Sequence, residues 1–135
     1  MKAQVRRQLT VSLENRLGRL ADVTDRLSKS GVNVDALSIV DTIDQAVVRL
    51  IPSDPALARQ VLERSGFHMV EADVLAVSMT DTPGAMAELS RALAQAGVNI
   101  DYAYGSSHGP GTVSLVVIRV SNIPHALNQI EALPD

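Results

Sequence analysis

The sequence predicts an α+β protein built from two ferredoxin-like βαββαβ units with antiparallel sheets, the second of which lacks its last strand. Three observations carry that expectation. The chain repeats itself at a fixed offset, hydrophobic spacing inside each repeat switches between strand and helix periods, and the chain stops just after the second helix of the second repeat.

The repeat comes first because it sets the frame for everything else. Residues 9–38 align without gaps to residues 75–104 at an offset of 66, and ten of the 30 positions are identical, including Gly18/Gly84, Gly31/Gly97, Val32/Val98 and Asn33/Asn99. Further on, Val47-Val48 aligns with Val116-Val117 and Pro55 with Pro124 at an offset of 69, which places three extra residues near 106–111 in the second copy. A period this long exceeds a solenoid repeat and indicates a duplicated small domain, with copies expected at 1–72 and 73–135.

Each copy opens with an alternating strand, Leu9, Val11 and Leu13 in one and Val77 and Met79 in the other. Leu20, Val23 and Leu27, mirrored by Met86, Leu89 and Leu93, then fall at helical spacing, and Gly31 and Gly97 stand where a helix end favours positive φ. Val34 to Val40 and Ile100 to Tyr104 read as second strands, followed by hairpins into Ala46 to Ile51 and Val113 to Val120. Asp54-Pro55 is a capped helix start, Asn122-Ile123-Pro124 resembles it, and Phe67 to Val70 reads as a short fourth strand leading into Val74 to Met79. Right-handed crossovers favour the spatial order 4-1-3-2 with both helices on one face. The fourth strand of the second copy is missing, so its place is expected to be filled from the first copy, from a second chain, or by a terminal segment not in this sequence.

Composition narrows the function. Aromatics are 2% and the net charge is −3, which argues against modules that stack bases or track phosphates, so no nucleic-acid partner is expected. The absence of cysteine excludes disulfide scaffolds, thiol catalysis and thiolate metal sites. No apolar run has spanning length and the N-terminus has no signal-peptide core, so the chain reads as soluble and cytoplasmic, with no membrane partner. His68, His108 and His125 share no metal-ligand spacing, and no serine sits in a nucleophile elbow. The stretch 105–111 is glycine-rich but joins two strands, so it reads as a mobile hairpin and not as a phosphate loop. No catalytic residue, metal or cofactor is expected, and the chain reads as a non-enzyme.

Two shared segments are better candidates for binding. Glu14-Asn15-Arg16-Leu17-Gly18 and Thr80-Asp81-Thr82-Pro83-Gly84 each lead a strand into a helix, where unpaired N–H groups and the positive dipole end suit a small carboxylate. Gly31-Val32-Asn33 and Gly97-Val98-Asn99 place an amide at the base of the second strand, able to bind an ammonium or a carboxylate. Capping by Asn15 and Asp81 (or Thr82), and a turn role for Asn33 and Asn99, explain the same residues without a ligand.

Asn-x-x-Gly, a helix, then Gly-Val-Asn-[Val/Ile], set in the βαββαβ order, resembles the ACT domain family across nearly the whole chain in two tandem copies. The resemblance implies small regulatory modules that bind amino acids, usually at interfaces between paired domains, and implies a homo-oligomer, a dimer, acting on a separate protein such as a regulated enzyme. It also implies one half-site from Asn15, Leu17, Gly18, Arg19, Leu20 and Asn33, and another from Asp81, Pro83, Gly84, Ala85, Met86 and Asn99. Leu17 replaces the usual proline, and Asp81 stands for asparagine. Asp81 would repel a carboxylate, so an amino-acid carboxylate is expected at the Gly18–Leu20 amides with Asp81 facing an ammonium or serving as a cap. Leu13, Leu17, Leu20, Met79 and Met86 would form apolar walls. The competing reading is an assembly module that uses its open strand edge and apolar sheet faces without any ligand.

Overall fold

The computed structural model describes all 135 residues, residues 1–135. Ten elements run in the order β1 (Lys2–Glu14), α1 (Arg19–Lys29), β2 (Val34–Asp41), β3 (Gln45–Pro52), α2 (Pro55–Arg64), β4 (His68–Thr80), α3 (Ala85–Gln95), β5 (Ile100–Ser106), β6 (Val113–Val120) and α4 (Ile123–Glu131). The strands follow one another across a six-stranded sheet as β2-β3-β1-β4-β6-β5. The chain folds as two compact units: a first unit, Arg7–Ala72, and a second unit, Met1–Arg6 with Asp73–Asp135.

The first unit is built as its periodicity dictates. Leu9, Val11 and Leu13 alternate inward from β1, and Val48 and Leu50 from β3 meet them in antiparallel register, Leu9 opposite Leu50 and Val11 opposite Val48. Val23 and Leu27 from α1, with Ala58 and Leu62 from α2, cover that face and complete the core. Asp54 caps α2 by accepting from the Leu57 N–H at 3.1 Å, and Pro55 takes the first turn. Gly31, at φ 77°, ends α1 in a Schellman arrangement, with the Val32 N–H on Leu27 O at 2.9 Å and its own N–H on Ser28 O at 3.0 Å.

The second unit repeats this plan. Leu75, Val77 and Met79 of β4 face Leu89 and Leu93 of α3 and Ala126 and Ile130 of α4. Its fourth strand is the first stretch of β1. Lys2–Arg6 lies in the strand beside β4, Met1 is buried among Leu75 and Val77, and Ala3 packs against the same cluster. The Met1 ammonium donates to the carbonyls of Leu133 at 2.6 Å and Pro134 at 2.9 Å, fastening the strand beyond the end of α4. The place left open by the repeat is thus filled from the same chain.

Two corrections to the sequence reading follow. Phe67 to Val70 and Val74 to Met79 are not a short strand and a separate one; residues 68–80 form a single strand. Strand pairing also fixes the later offset at 68, since Val48 opposes Val11 as Val116 opposes Val77, and Leu50 opposes Leu9 as Ile118 opposes Leu75. The expected offset of 69 rested on matching the Val-Val pairs one residue out of register, which would have turned the inward face of the strand outward.

Candidate ligand site

Both strand-to-helix junctions have the same backbone form. Gly18 at φ 85° and Gly84 at φ 92° are themselves the N-caps of α1 and α3, and no side chain bonds to either helix start. The expected capping by Asn15 and by Asp81 or Thr82 does not occur. At α3 the Ala85 N–H closes on Thr82 O at 3.1 Å, whereas the amides of Met86 and Ala87, which a cap side chain would normally engage, have no side-chain acceptor.

Asn15 and Asp81 instead tie the junctions to the neighbouring hairpins. Asn15 Nδ2 donates to Asp41 Oδ1 at 2.8 Å. In the second unit Ser107 Oγ donates to Asp81 Oδ2, and Ser107 stands 66 residues after Asp41, as Asp81 does after Asn15. Donor and acceptor have exchanged sides, so each of these two bonds contains one carboxylate. The contrast between neutral Asn15 and anionic Asp81 is narrowed, because Asp41 stands against Asn15. The glycine-rich hairpin is likewise held down: the Asp81 N–H bonds Thr112 O at 2.7 Å and the Gly111 N–H bonds Asp81 O at 2.8 Å.

The cavities beside the two junctions differ sharply. In the second unit a cavity of about 490 Å³ lies between the start of α3 and the sheet, bounded by Met79, Gly84, Met86, Gly105, Ser114 and Val116, with Asp81 at its edge. The equivalent space in the first unit is about 140 Å³, bounded by Asn15, Arg19, Leu20, Ile39 and Ala46. Sites for small molecules usually measure about 300–1,000 Å³, so the second alone falls in that range. Lining residues at matching positions differ in bulk: Arg19 becomes Ala85 at the helix start and Ile39 becomes Gly105 on the sheet, while Ala46 becomes Ser114 and brings a hydroxyl. Gly105 cannot regain a side chain, because a Cβ there would stand 2.6 Å from the Leu115 carbonyl oxygen.

The remaining candidates fall elsewhere. Leu17 is wholly exposed and forms no wall. Pro83 belongs to the turn before Gly84 and does not line the cavity, whereas Ala85 and Met86 do. Arg19 lies 4.8 Å over the Phe67 ring and pairs with Asp22 at 3.2 Å. Asn33 and Asn99 sit past the C-terminal ends of α1 and α3. Eleven residues of helix, about 16 Å, therefore separate Asn33 from Gly18 in its unit, and Asn99 from Gly84 in the other. Asn33 donates to Asp35 at 2.7 Å and exchanges backbone bonds with Ser53, its N–H meeting Ser53 Oγ at 2.9 Å; Asn99, Asp101 and Ser121 repeat this arrangement. Each amide thus anchors the base of a second strand. No group of three or more His, Asp or Glu side chains is placed to hold a metal ion.

A family model described as ACT domain pair matches residues 4–131. This chain belongs to that family. A crystal structure of a protein from Bacteroides thetaiotaomicron superposes with a TM-score of 0.88 at 36% identity, covering 96% of this chain and 88% of the other. Regulatory subunits of aspartate kinase share the fold: that of Thermus thermophilus, in its ligand-free form, at a TM-score of 0.73 and 20% identity, and that of Thermus flavus at 0.69 and 22%. Each comparison covers 97% of this chain and 95% of the subunit. No curated protein matches the sequence significantly.

Within this ACT pair, the residues that shape the larger cavity were the ones sequence reasoning missed. Ile39 against Gly105 was visible at the offset of 66, but a glycine in a glycine-rich turn drew attention to the loop and away from the strand. Ala46 against Ser114 was hidden because the offset of 69 set Ala46 against Leu115.

Proposed function

We propose that this ACT pair is a non-enzymatic regulatory protein that binds a small amino acid and acts on a separate protein. One observation carries the reading: the 490 Å³ cavity opens beside two uncapped amides of α3 and one carboxylate, Asp81. A free amino acid is a zwitterion, and these groups complement its two ends, amides for the carboxylate and Asp81 for the ammonium. Aspartate kinase regulatory subunits share the fold, which supports an enzyme as the class of partner. Ligand binding would shift this chain between partner-binding states by its difference in affinity for them, and by no more.

A thermal-shift screen of the full chain against the twenty amino acids tests the reading. A specific effector raises the melting temperature with concentration by mass action. A melting temperature unmoved by every amino acid would contradict it.

A second reading, self-association, is favoured by the half-exposed apolar ridge of Leu20, Leu37 and Ile39 on the first unit. It is compatible with the first, and sedimentation at several concentrations tests it, with a dimer as the expected species.

A further inference from the structure

Ser114 is a hydroxyl without a purpose in the fold. The residue is 7% exposed, lines the larger cavity, faces it from β6 opposite Met79, and its side chain has no hydrogen-bond partner. The oxygen keeps access to the cavity and makes no bond within the fold, so it is free to meet a group brought by a ligand. The alanine at the matching place, Ala46, shows that the fold does not require oxygen there.

Resting on the amino-acid-sensing reading above, we propose that the second unit alone takes the effector, one per chain, and that Ser114 selects an amino acid with a small polar side chain, ending in a hydroxyl or an amide. The geometry divides the ligand in three. Its carboxylate meets the Met86 and Ala87 amides at the start of α3, its ammonium faces Asp81 at the edge, and its side chain points down to the sheet, where Gly105 leaves depth and Ser114 offers a hydroxyl. Met79 and Val116 flank that contact with apolar surface, so a charged side chain would be left unpaired and is rejected. In the first unit Ile39 occupies the depth that Gly105 vacates, and Ala46 offers no bond.

Isothermal titration calorimetry of the full chain tests this, using serine, threonine, asparagine and glutamine as polar probes and alanine and valine as apolar ones. The expected result is a stoichiometry of one per chain for a polar probe, with Ser114→Ala binding that probe at least tenfold more weakly and the apolar probes unchanged. Without ligand, Ser114→Ala should melt close to the wild-type temperature, because the hydroxyl makes no bond within the fold. Two sites per chain, an unchanged affinity in Ser114→Ala, or a lower melting point for the free variant would each overturn the proposal while leaving amino-acid sensing intact. Failure of all twenty amino acids to bind would overturn both.

Discussion

Ser107 donates to Asp81 at the place where, in the first unit, Asn15 donates to Asp41. The repeat has changed both partners and kept the bond, so one carboxylate within that bond survives duplication. This makes the charge at each junction, and not the identity of one residue, the feature to perturb.

Asn15→Asp would set two carboxylates against each other across the 2.8 Å now bridged by an amide. The expected cost is about 1 kcal/mol at low salt for this exposed pair, shrinking as salt is added. Asp81→Asn keeps an oxygen for Ser107 and should change stability by less than about 0.5 kcal/mol, yet weaken amino-acid binding roughly tenfold by removing the ammonium's partner. Urea melts at low and high salt, with titrations alongside, check both.

Gly84 and Gly105 are required for different reasons, and one pair of substitutions separates them. At Gly84 a Cβ meets nothing within 4 Å, and the cost lies in φ 92°. Gly84→Ala should lose about 1–2 kcal/mol, and Gly84→Asn should recover part of it because asparagine tolerates that backbone. At Gly105 the obstacle is the Leu115 carbonyl, so alanine and asparagine should both be destabilising, asparagine more so. Thermal denaturation of the four variants gives the comparison.

Removal of residues 2–6 should unpair one side of β4 and take Met1 away from Leu75 and Val77. Hydrogen exchange is expected to show lost protection in residues 74–80 and in α3, with the amides around Leu27 and Leu62 in the first unit still slow.

Ser121→Ala removes the oxygen that receives the Asn99 N–H at 3.0 Å. A stability loss of about 1 kcal/mol is expected, with faster exchange at the base of β5, and Ser53→Ala should act alike on β2.

Much of this was legible in the chain before any coordinates. Paired glycines at helix ends, the alternation of Leu9, Val11 and Leu13 with its echo in Leu75, Val77 and Met79, and the Asp54-Pro55 start each state a local rule that tertiary packing left intact. The first six residues alternate Met1, Ala3 and Val5 with Lys2, Gln4 and Arg6, but so short a run does not say which strand it joins; what places them is the open side of β4, a non-local cause. The site was half legible. Gly18 and Gly84 announce bare helix starts, but whether space exists beside them depends on Ile39 and Gly105, and whether it holds a hydroxyl depends on Ser114; all three lie on other strands and meet the junction only once register is known.

A crystal structure of the chain with the tightest-binding amino acid tests the central claim most directly. The account predicts ligand density in the second unit between the Met86 and Ala87 amides and Ser114, with the ammonium beside Asp81. Density in the first unit beside Asn15, or a second unit whose cavity stays closed by side chains while ligand sits elsewhere, would contradict it.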